Sequence, residues 1–178
     1  MLNILIIPLS ILISYIYFSD DIINKISFLI TSSGYLALIY LSIVLLLPIL
    51  KFKSIQYKVK DFGIATFYLS LIHFLIYTLD NSLDIEILYD DFFYRNYIIS
   101  GYLALLLLVP MFLTSFVLIQ KKYPYWRKIH KIIYIIYILI LAHIYFIIKA
   151  DYLYLFIFIM LFSITIIFKL FKQKEMNE

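Results

Sequence analysis

The sequence predicts an all-α membrane protein: a bundle of six transmembrane helices with both termini on the cytoplasmic side. Apolar residues make up 65% of the chain and charged residues 15%, a composition too apolar for a soluble domain. Six apolar segments approach the roughly 20 residues that a helix needs to cross a bilayer. Positive charge gathers in alternate connections between these segments. Together the three observations predict a single membrane domain over residues 1–178, with little mass outside the lipid.

The six predicted spans are joined by short connections that leave no room for a nucleotide-binding domain or a globular ectodomain. The N-terminal segment has neither a basic n-region nor a small-residue cleavage site, so we expect a retained helix instead of a signal peptide. The first and third segments are the shortest. The predicted spans are 2–18, 28–50, 62–79, 97–119, 131–149 and 152–171.

Charge orients the predicted bundle, because Lys and Arg are retained on the cytoplasmic side. Twelve of the 15 basic residues fall in or next to two alternate connections and the C-terminal tail, which places both termini in the cytoplasm. A topology signal facing anionic lipid explains these clusters more simply than a binding patch, and no nucleic-acid partner is expected. The twelve are Lys51, Lys53, Lys58, Lys60, Lys121, Lys122, Arg127, Lys128, Lys131, Lys169, Lys172 and Lys174, against Lys25, Arg95 and Lys149.

The connection between the third and fourth spans is acidic. It is either a solvated hairpin with ordinary acidic bias or a docking surface, where opposite charge steers an external partner. The candidate docking residues are Asp84, Glu86, Asp90 and Asp91.

Three histidines are the candidate metal ligands, because the chain has no cysteine. The absence of thiols excludes disulfides, iron–sulfur clusters and c-type haem attachment. No Gly-rich phosphate loop, catalytic triad or paired intramembrane carboxylate occurs, so hydrolytic chemistry has no candidate residues. Any metal inside the membrane must be held by imidazole.

His73 and His143 lie at matched depth on different predicted helices. His73 is eleven residues and His143 thirteen residues above the cytoplasmic helix ends, or roughly 16 and 20 Å at the helical rise. Two imidazoles so placed are the arrangement needed to ligate one haem b from both faces. The alternative is that each histidine only bonds to a neighbouring helix.

His130 lies at the predicted cytoplasmic edge, beside Trp126 and Arg127, where a histidine can simply be solvated. On an ideal helix it points about 140° away from His143. A second ligand opposite His130 would be needed thirteen or fourteen residues before His73, and these positions hold Lys60 and Val59, which are not usual haem ligands. A second bis-histidine haem is therefore not predicted, and His130, Trp126 and Arg127 form a candidate second haem or flavin site.

These residues together resemble one known family. The chain is similar to the MsrQ (YedZ) haem-binding membrane subunits of the periplasmic protein-methionine-sulfoxide reductase system, within the ferric-reductase-like superfamily. The resemblance covers about residues 30–151 and depends on the order and spacing of several motifs. They are Gly34 to Leu38, His73 to Tyr77, Arg95 to Tyr97 with Gly101, Thr114-Ser115, Trp126 to His130 with Tyr134, and His143 to Asp151.

The resemblance implies a six-helix electron conduit in the bacterial inner membrane that holds haem b and also FMN. The family's haem ligands correspond to His73 and His143, and His130 to a residue linked to a second redox site. Electrons would pass from a cytoplasmic flavin reductase or the quinone pool to a soluble molybdopterin subunit outside, which would reduce methionine sulfoxide.

The chain departs from the family pattern in two places. Lys58, Lys60 and Gly63 stand where the family has an Arg-Arg pair before Leu-Gly, and Arg95-Asn96-Tyr97 replaces Arg-Pro-Tyr. Lysine lacks the bidentate fork of arginine, which weakens the case for a phosphate contact to FMN.

The sequence thus predicts an electron-transfer subunit, with a partner reducing the substrate. Two alternatives stay open. One is a stand-alone ferric or cupric reductase, although such enzymes generally carry a fused flavin–nicotinamide domain. The other is a cofactor-free membrane scaffold.

Overall fold

The computed structural model describes residues 2–49, 58–148 and 152–175. Within these ranges all regular structure is helical, and no strand occurs. Five helices are long and apolar enough to cross a membrane, and the N-terminal apolar helix is shorter. The prediction of an all-α membrane bundle is therefore confirmed, and the side on which the termini lie stays a prediction. Lys51, Lys53, Lys149 and Asp151, used above, lie outside the described residues.

Nine α-helices and one 3₁₀ turn follow each other in the described part of the chain. A span-length helix from Trp126 to Ile147 is interrupted near its start by the 3₁₀ turn. The elements are α1 (Leu2–Phe18), α2 (Lys25–Leu46), α3 (Val59–Asp80), α4 (Ile85–Tyr94), α5 (Asn96–Leu113), α6 (Val117–Lys122), α7 (Trp126–Ile129), the 3₁₀ turn His130–Ile132, α8 (Ile133–Ile147) and α9 (Leu153–Glu175).

The helix ends differ most from the predicted spans around α5. This helix ends at Leu113, whereas the predicted span runs to residue 119. The Thr114 hydroxyl donates to the Pro110 carbonyl at 2.7 Å, and a turn over 114–116 separates α5 from the short helix α6. The next span begins at Trp126, five residues before the predicted start.

The acidic connection contains a helix, α4, where the sequence suggested a hairpin. Asp84 caps this helix, with its Oδ1 accepting from the backbone N–H groups of Glu86 at 2.9 Å and Ile87 at 3.4 Å. Before it, Ser82 and Leu83 adopt positive φ angles of 56° and 55°, which cost non-glycine residues about 1–2 kcal/mol each. This tight turn folds α4 back so that it packs against α5.

Two helix pairs dominate the packing: α2 with α3, and α5 with α8. The main apolar core joins α2, α5, α8 and α9. Within it the Tyr137 hydroxyl lies 2.9 Å from the Ser42 Oγ, so a buried polar bond links α2 to α8. Many Ile, Leu and Phe side chains on the outward faces are exposed, as expected where the surrounding solvent is lipid.

Candidate functional site

His73 on α3 and His143 on α8 face one cavity of about 270 Å³ between the two helix pairs. We call it the paired-histidine cavity. The ring centroids of the two histidines are 6.3 Å apart, and their planes are almost perpendicular at 86°. The structure thus brings together the two histidines that the sequence pairs by depth.

Each imidazole is fixed by a backbone carbonyl of the neighbouring helix. His73 Nδ1 lies 2.8 Å from the Ile30 oxygen on α2, and His143 Nδ1 lies 2.5 Å from the Tyr97 oxygen on α5. A carbonyl oxygen can only accept, so each Nδ1 carries the proton. In the neutral ring Nε2 then keeps its lone pair, which is the tautomer that binds a metal, with the second nitrogen orienting the ring.

A glycine on the adjacent helix makes room for each ring. A Cβ at Gly34 would lie 3.0 Å from His73 Cε1, and one at Gly101 would lie 2.9 Å from His143 Nδ1. A side chain larger than hydrogen would therefore displace either imidazole. Among the described residues, Gly63 has no atom within 4 Å of the corresponding point and so has no such role.

The two helix segments that contact the histidine rings share a repeated hexapeptide, which the sequence analysis above missed. Ser-Gly-Tyr-Leu-Ala-Leu occurs at 33–38 on α2 and again at 100–105 on α5. In each copy the serine lies three residues after the carbonyl that holds the histidine, and the glycine lies four residues after it. A search for exact internal repeats would have found this signal.

The donor set of this cavity fits an iron porphyrin. A metal bonded to both Nε2 atoms would separate the ring centroids by about 6.4 Å, given a metal–imidazole bond of roughly 2.0 Å and about 1.2 Å from nitrogen to ring centre. The observed centroid separation of 6.3 Å is close to this value. No group of three or more His, Cys, Asp or Glu side chains that could hold a bare metal ion occurs among the described residues. Two imidazoles in a largely apolar cavity suit a metal whose other ligands come from a macrocycle.

A polar cluster lies at one end of this cavity, where α3, α4 and α5 meet. The Tyr77 hydroxyl donates to Asp91 Oδ2, and Arg95 Nε lies 2.9 Å from Asp91 Oδ1. Arg95 also donates to the Tyr97 hydroxyl at 3.2 Å. Tyr77 and Tyr97 line the cavity, so the cluster ties α4 to the edge of the site.

The position of Asp91 corrects one candidate in the predicted docking set. Its side chain is only 3% exposed and is occupied by Tyr77 and Arg95, so it cannot meet an external partner. The tight turn before α4 brings it inward, which the charge pattern could not reveal. Asp84, Glu86 and Asp90 are exposed, and their docking role stays a prediction.

His130 lies in a second cavity of about 230 Å³, separate from the first. We call it the His130 cavity. His130 Nε2 is 3.2 Å from the Thr114 Oγ1. The Trp126 and His130 rings pack edge to face, with their centroids 5.5 Å apart. Lys60 also lines this cavity, and Leu108 lines both cavities. The structure therefore brings together His130 and Trp126, with Lys60 as an additional member.

Arg127 and the helix geometry differ from the sequence expectation. Arg127 is exposed, and its guanidinium lies 5.4 Å from the centre of the Trp126 ring, so it stacks on Trp126 and does not line the His130 cavity.

His130 begins the 3₁₀ turn, which advances about 120° per residue instead of 100°. With this turn, the angle between His130 and His143 around the helix axis falls from about 140° to roughly 80°.

Curated relatives match part of the chain. The protein-methionine-sulfoxide reductase heme-binding subunit MsrQ of Brucella anthropi is 37% identical over 78 residues, which is 43% of this chain and 36% of that protein. MsrQ of Rhizobium meliloti is 34% identical over 79 residues, 43% of this chain and 37% of that protein. The chain thus aligns with little more than a third of the length of these relatives. No solved structure matches the chain.

The family comparison covers more of the chain. The model of the ferric reductase-like transmembrane component matches residues 33–141. This stretch begins at the first copy of the hexapeptide repeat, contains His73 and His130, and ends just before His143. It spans more than half of this multi-pass bacterial membrane protein, and the chain therefore belongs to the ferric reductase-like transmembrane component family.

Proposed function

We propose that the chain is a transmembrane electron-transfer subunit that holds haem b between His73 and His143. The observation that carries this proposal is the paired-histidine geometry: two rings 6.3 Å apart, each with Nδ1 bonded to a carbonyl and Nε2 available to a metal. The names of the MsrQ relatives, which are heme-binding subunits, support the same cofactor.

Haem supplies a one-electron carrier whose potential depends on its axial ligands and their hydrogen bonds. The protein's part is to hold the ligands and exclude water. The Ile30 and Tyr97 carbonyls fix the two rings, Gly34 and Gly101 admit them, and apolar residues such as Leu105, Ile140 and Ile144 line the rest of the cavity.

The His130 cavity is the proposed second redox site, for a second haem or a flavin such as FMN. Its single imidazole and its tryptophan suit a planar aromatic group, and Lys60 offers positive charge. Leu108 is common to both cavities, so an electron would cross a short apolar wall between them. In the predicted orientation this cavity lies on the cytoplasmic side, where a flavin reductase or a quinone would donate.

The acceptor that we propose is a periplasmic molybdopterin catalytic subunit that reduces methionine sulfoxide in oxidised proteins. The names of the relatives, subunits of a protein-methionine-sulfoxide reductase, support this partner class. Asp84, Glu86 and Asp90 are exposed on the connection that the charge pattern places outside the bacterial inner membrane. They would steer a positively charged docking face.

Cofactor extraction tests the proposal directly. We expect the purified chain to show a Soret band, a low-spin haem spectrum and haem b in the pyridine-haemochrome assay. A flavin assay on the same extract decides between haem and FMN at the second site. Protein without a Soret band after haem supplementation would favour the cofactor-free scaffold and overturn the proposal.

The family match also favours a second candidate function, a stand-alone ferric or cupric reductase. The reduced chain would then transfer electrons to Fe(III) or Cu(II) chelates without a protein partner. Stopped-flow reoxidation of the dithionite-reduced haem separates the two functions. We expect slow reoxidation by Fe(III)-citrate and fast reoxidation by the catalytic subunit, and the opposite ranking would favour the metal reductase.

A further inference from the structure

We propose that the hydroxyl groups of Ser33 and Ser100 tune the electron affinity of the metal held by His73 and His143. The proposal rests on the proposed function, since it concerns the haem ligands. It makes the two serines positioning residues that act through the backbone carbonyls and do not contact the metal.

On α5, Ser100 and His143 share one acceptor. Ser100 Oγ donates to the Tyr97 carbonyl oxygen at 2.8 Å, and His143 Nδ1 donates to the same oxygen at 2.5 Å. Ser100 is buried, with 7% of its surface exposed, so its hydroxyl has little access to water. The next residue, Gly101, lies against the His143 ring.

On α2, Ser33 and His73 repeat this arrangement. Ser33 Oγ donates to the Ile30 carbonyl oxygen at 2.9 Å, and His73 Nδ1 donates to it at 2.8 Å. Ser33 is fully buried, and Gly34 follows it against the His73 ring. One difference is that Ser33 Oγ is also 3.3 Å from His73 Nδ1, so this hydroxyl offers the imidazole a second, longer acceptor.

Serine hydroxyls in apolar helices commonly bond to a carbonyl of their own helix, and Ser163 does so with the Ile159 oxygen at 2.9 Å. Ser33 and Ser100 differ from Ser163 because their carbonyls also hold a candidate metal ligand. Both belong to the repeated hexapeptide, so the same three-part unit of carbonyl, serine and glycine occurs once for His73 and once for His143.

The shared carbonyl decides how much negative charge the imidazole gives the metal. A strong Nδ1–H bond makes the ring more imidazolate-like and raises its basicity as a ligand, which favours the ferric state. A hydroxyl that donates to the same oxygen weakens that bond, because the oxygen's lone pairs are divided. The serines therefore favour the ferrous state, and their removal lowers the midpoint potential.

The two positions differ in the size of the effect. The Ser100 hydroxyl only competes with His143 Nδ1 for the Tyr97 oxygen, so in Ser100→Ala that oxygen accepts from the ring without competition. Ser33→Ala removes competition and also removes the longer acceptor at His73, and these changes oppose each other. We expect Ser100→Ala to lower the ratio of ferrous to ferric haem at a fixed potential about threefold to fivefold, and Ser33→Ala to lower it less.

Potentiometric titration of the purified haem-loaded chain tests the proposal, with Ser163→Ala as the matched control. A low-spin EPR signal in each variant would show that both ligands remain in place. Ser100→Thr keeps a hydroxyl that can reach the same carbonyl, and we expect it to restore the midpoint potential toward that of the natural chain.

The outcomes separate the two proposals. A natural chain without haem overturns the proposed function and the tuning with it. A haem-loaded chain in which Ser100→Ala and Ser33→Ala titrate like Ser163→Ala overturns the tuning alone. A rise in midpoint potential on Ser100→Ala, or a Ser100→Thr variant that titrates like Ser100→Ala, also overturns it, because the hydroxyl would not be competing for the carbonyl.

Discussion

The paired-histidine cavity and the His130 cavity are similar in size and different in construction. In the first, two imidazoles face each other, and each is fixed by a carbonyl and a glycine of an adjacent helix. In the second, a single imidazole bonds to a threonine hydroxyl and meets a tryptophan edge. A histidine near a cavity is therefore a weak signal by itself. A histidine with a fixed tautomer, a fixed ring and an opposed partner is a strong signal for a metal.

The largest effect is expected from removing either member of the histidine pair. His73→Ala and His143→Ala should each abolish the low-spin haem spectrum, because one axial ligand is lost. His130→Ala is the matched control and should keep that spectrum, since its ring lies in the other cavity. Absorption and EPR spectra of the three purified variants measure this. A low-spin signal that survives His73→Ala would break the proposed pairing.

A smaller effect is expected when alanine replaces one of the two glycines that contact the histidine rings. Gly101→Ala places a methyl group 2.9 Å from His143 Nδ1, and overpacking of this kind costs about 1–3 kcal/mol. We expect roughly tenfold weaker haem binding in a titration of the apoprotein, with a smaller loss for Gly34→Ala. Gly63→Ala meets no atom of the described residues within 4 Å and should leave haem binding at the paired histidines unchanged. Equal affinities in all three variants would show that the ring positions are not set by the glycines.

The polar cluster at the end of the paired-histidine cavity should contribute to stability more than to haem binding. Asp91→Ala leaves the Tyr77 hydroxyl and Arg95 without their shared carboxylate, a loss of about 1–3 kcal/mol. We expect a melting temperature several degrees lower in detergent, with the haem spectrum kept. Asp90→Ala, at the exposed neighbouring position, is the control. A melting temperature that Asp91→Ala leaves unchanged would argue against a structural role for the buried carboxylate.

The smallest effect concerns the exposed acidic side chains of α4. The triple variant Asp84→Asn, Glu86→Gln and Asp90→Asn keeps the helix cap, because asparagine also caps well. We expect it to slow reoxidation of the haem by the catalytic subunit a few-fold at low ionic strength and to match the natural chain in high salt, where exposed charges are screened.

The control for this experiment is Asp20→Asn with Asp21→Asn, two exposed acidic residues of another connection. A salt-independent difference, or an equal slowing in the control, would remove α4 from the docking surface.

The sequence predicts the helical class and the matched depth of His73 and His143, because both follow from length and rise along a single helix. It does not predict what depends on contacts between helices. The carbonyl acceptors of the two rings and the glycine contacts arise only when α2 meets α3 and α5 meets α8. The burial of Asp91 depends on two positive φ angles at Ser82 and Leu83, which no apolar periodicity encodes. The 3₁₀ turn at His130 is a local departure that an ideal helix cannot show.

One hidden signal was present in the sequence itself. The hexapeptide at 33–38 and 100–105 marks both ring contacts, and it is invisible to an argument that treats each span separately. Its two serines and two glycines are small residues, which by themselves look like ordinary packing positions of membrane helices. Only their repetition beside a histidine-bearing helix gives them a common role.

The division of the bundle into two helix pairs has a consequence for biogenesis. The first pair, α2 with α3, is complete once residue 80 has been inserted, but its histidine has no opposed ring until α8 emerges more than sixty residues later in the chain. A prosthetic group that needs both rings can be captured only after α8 has entered the bilayer. Such a group would bridge the two helix pairs, which contact each other less than the two helices within each pair do. Capture of such a group would therefore be a late step in the assembly of the bundle.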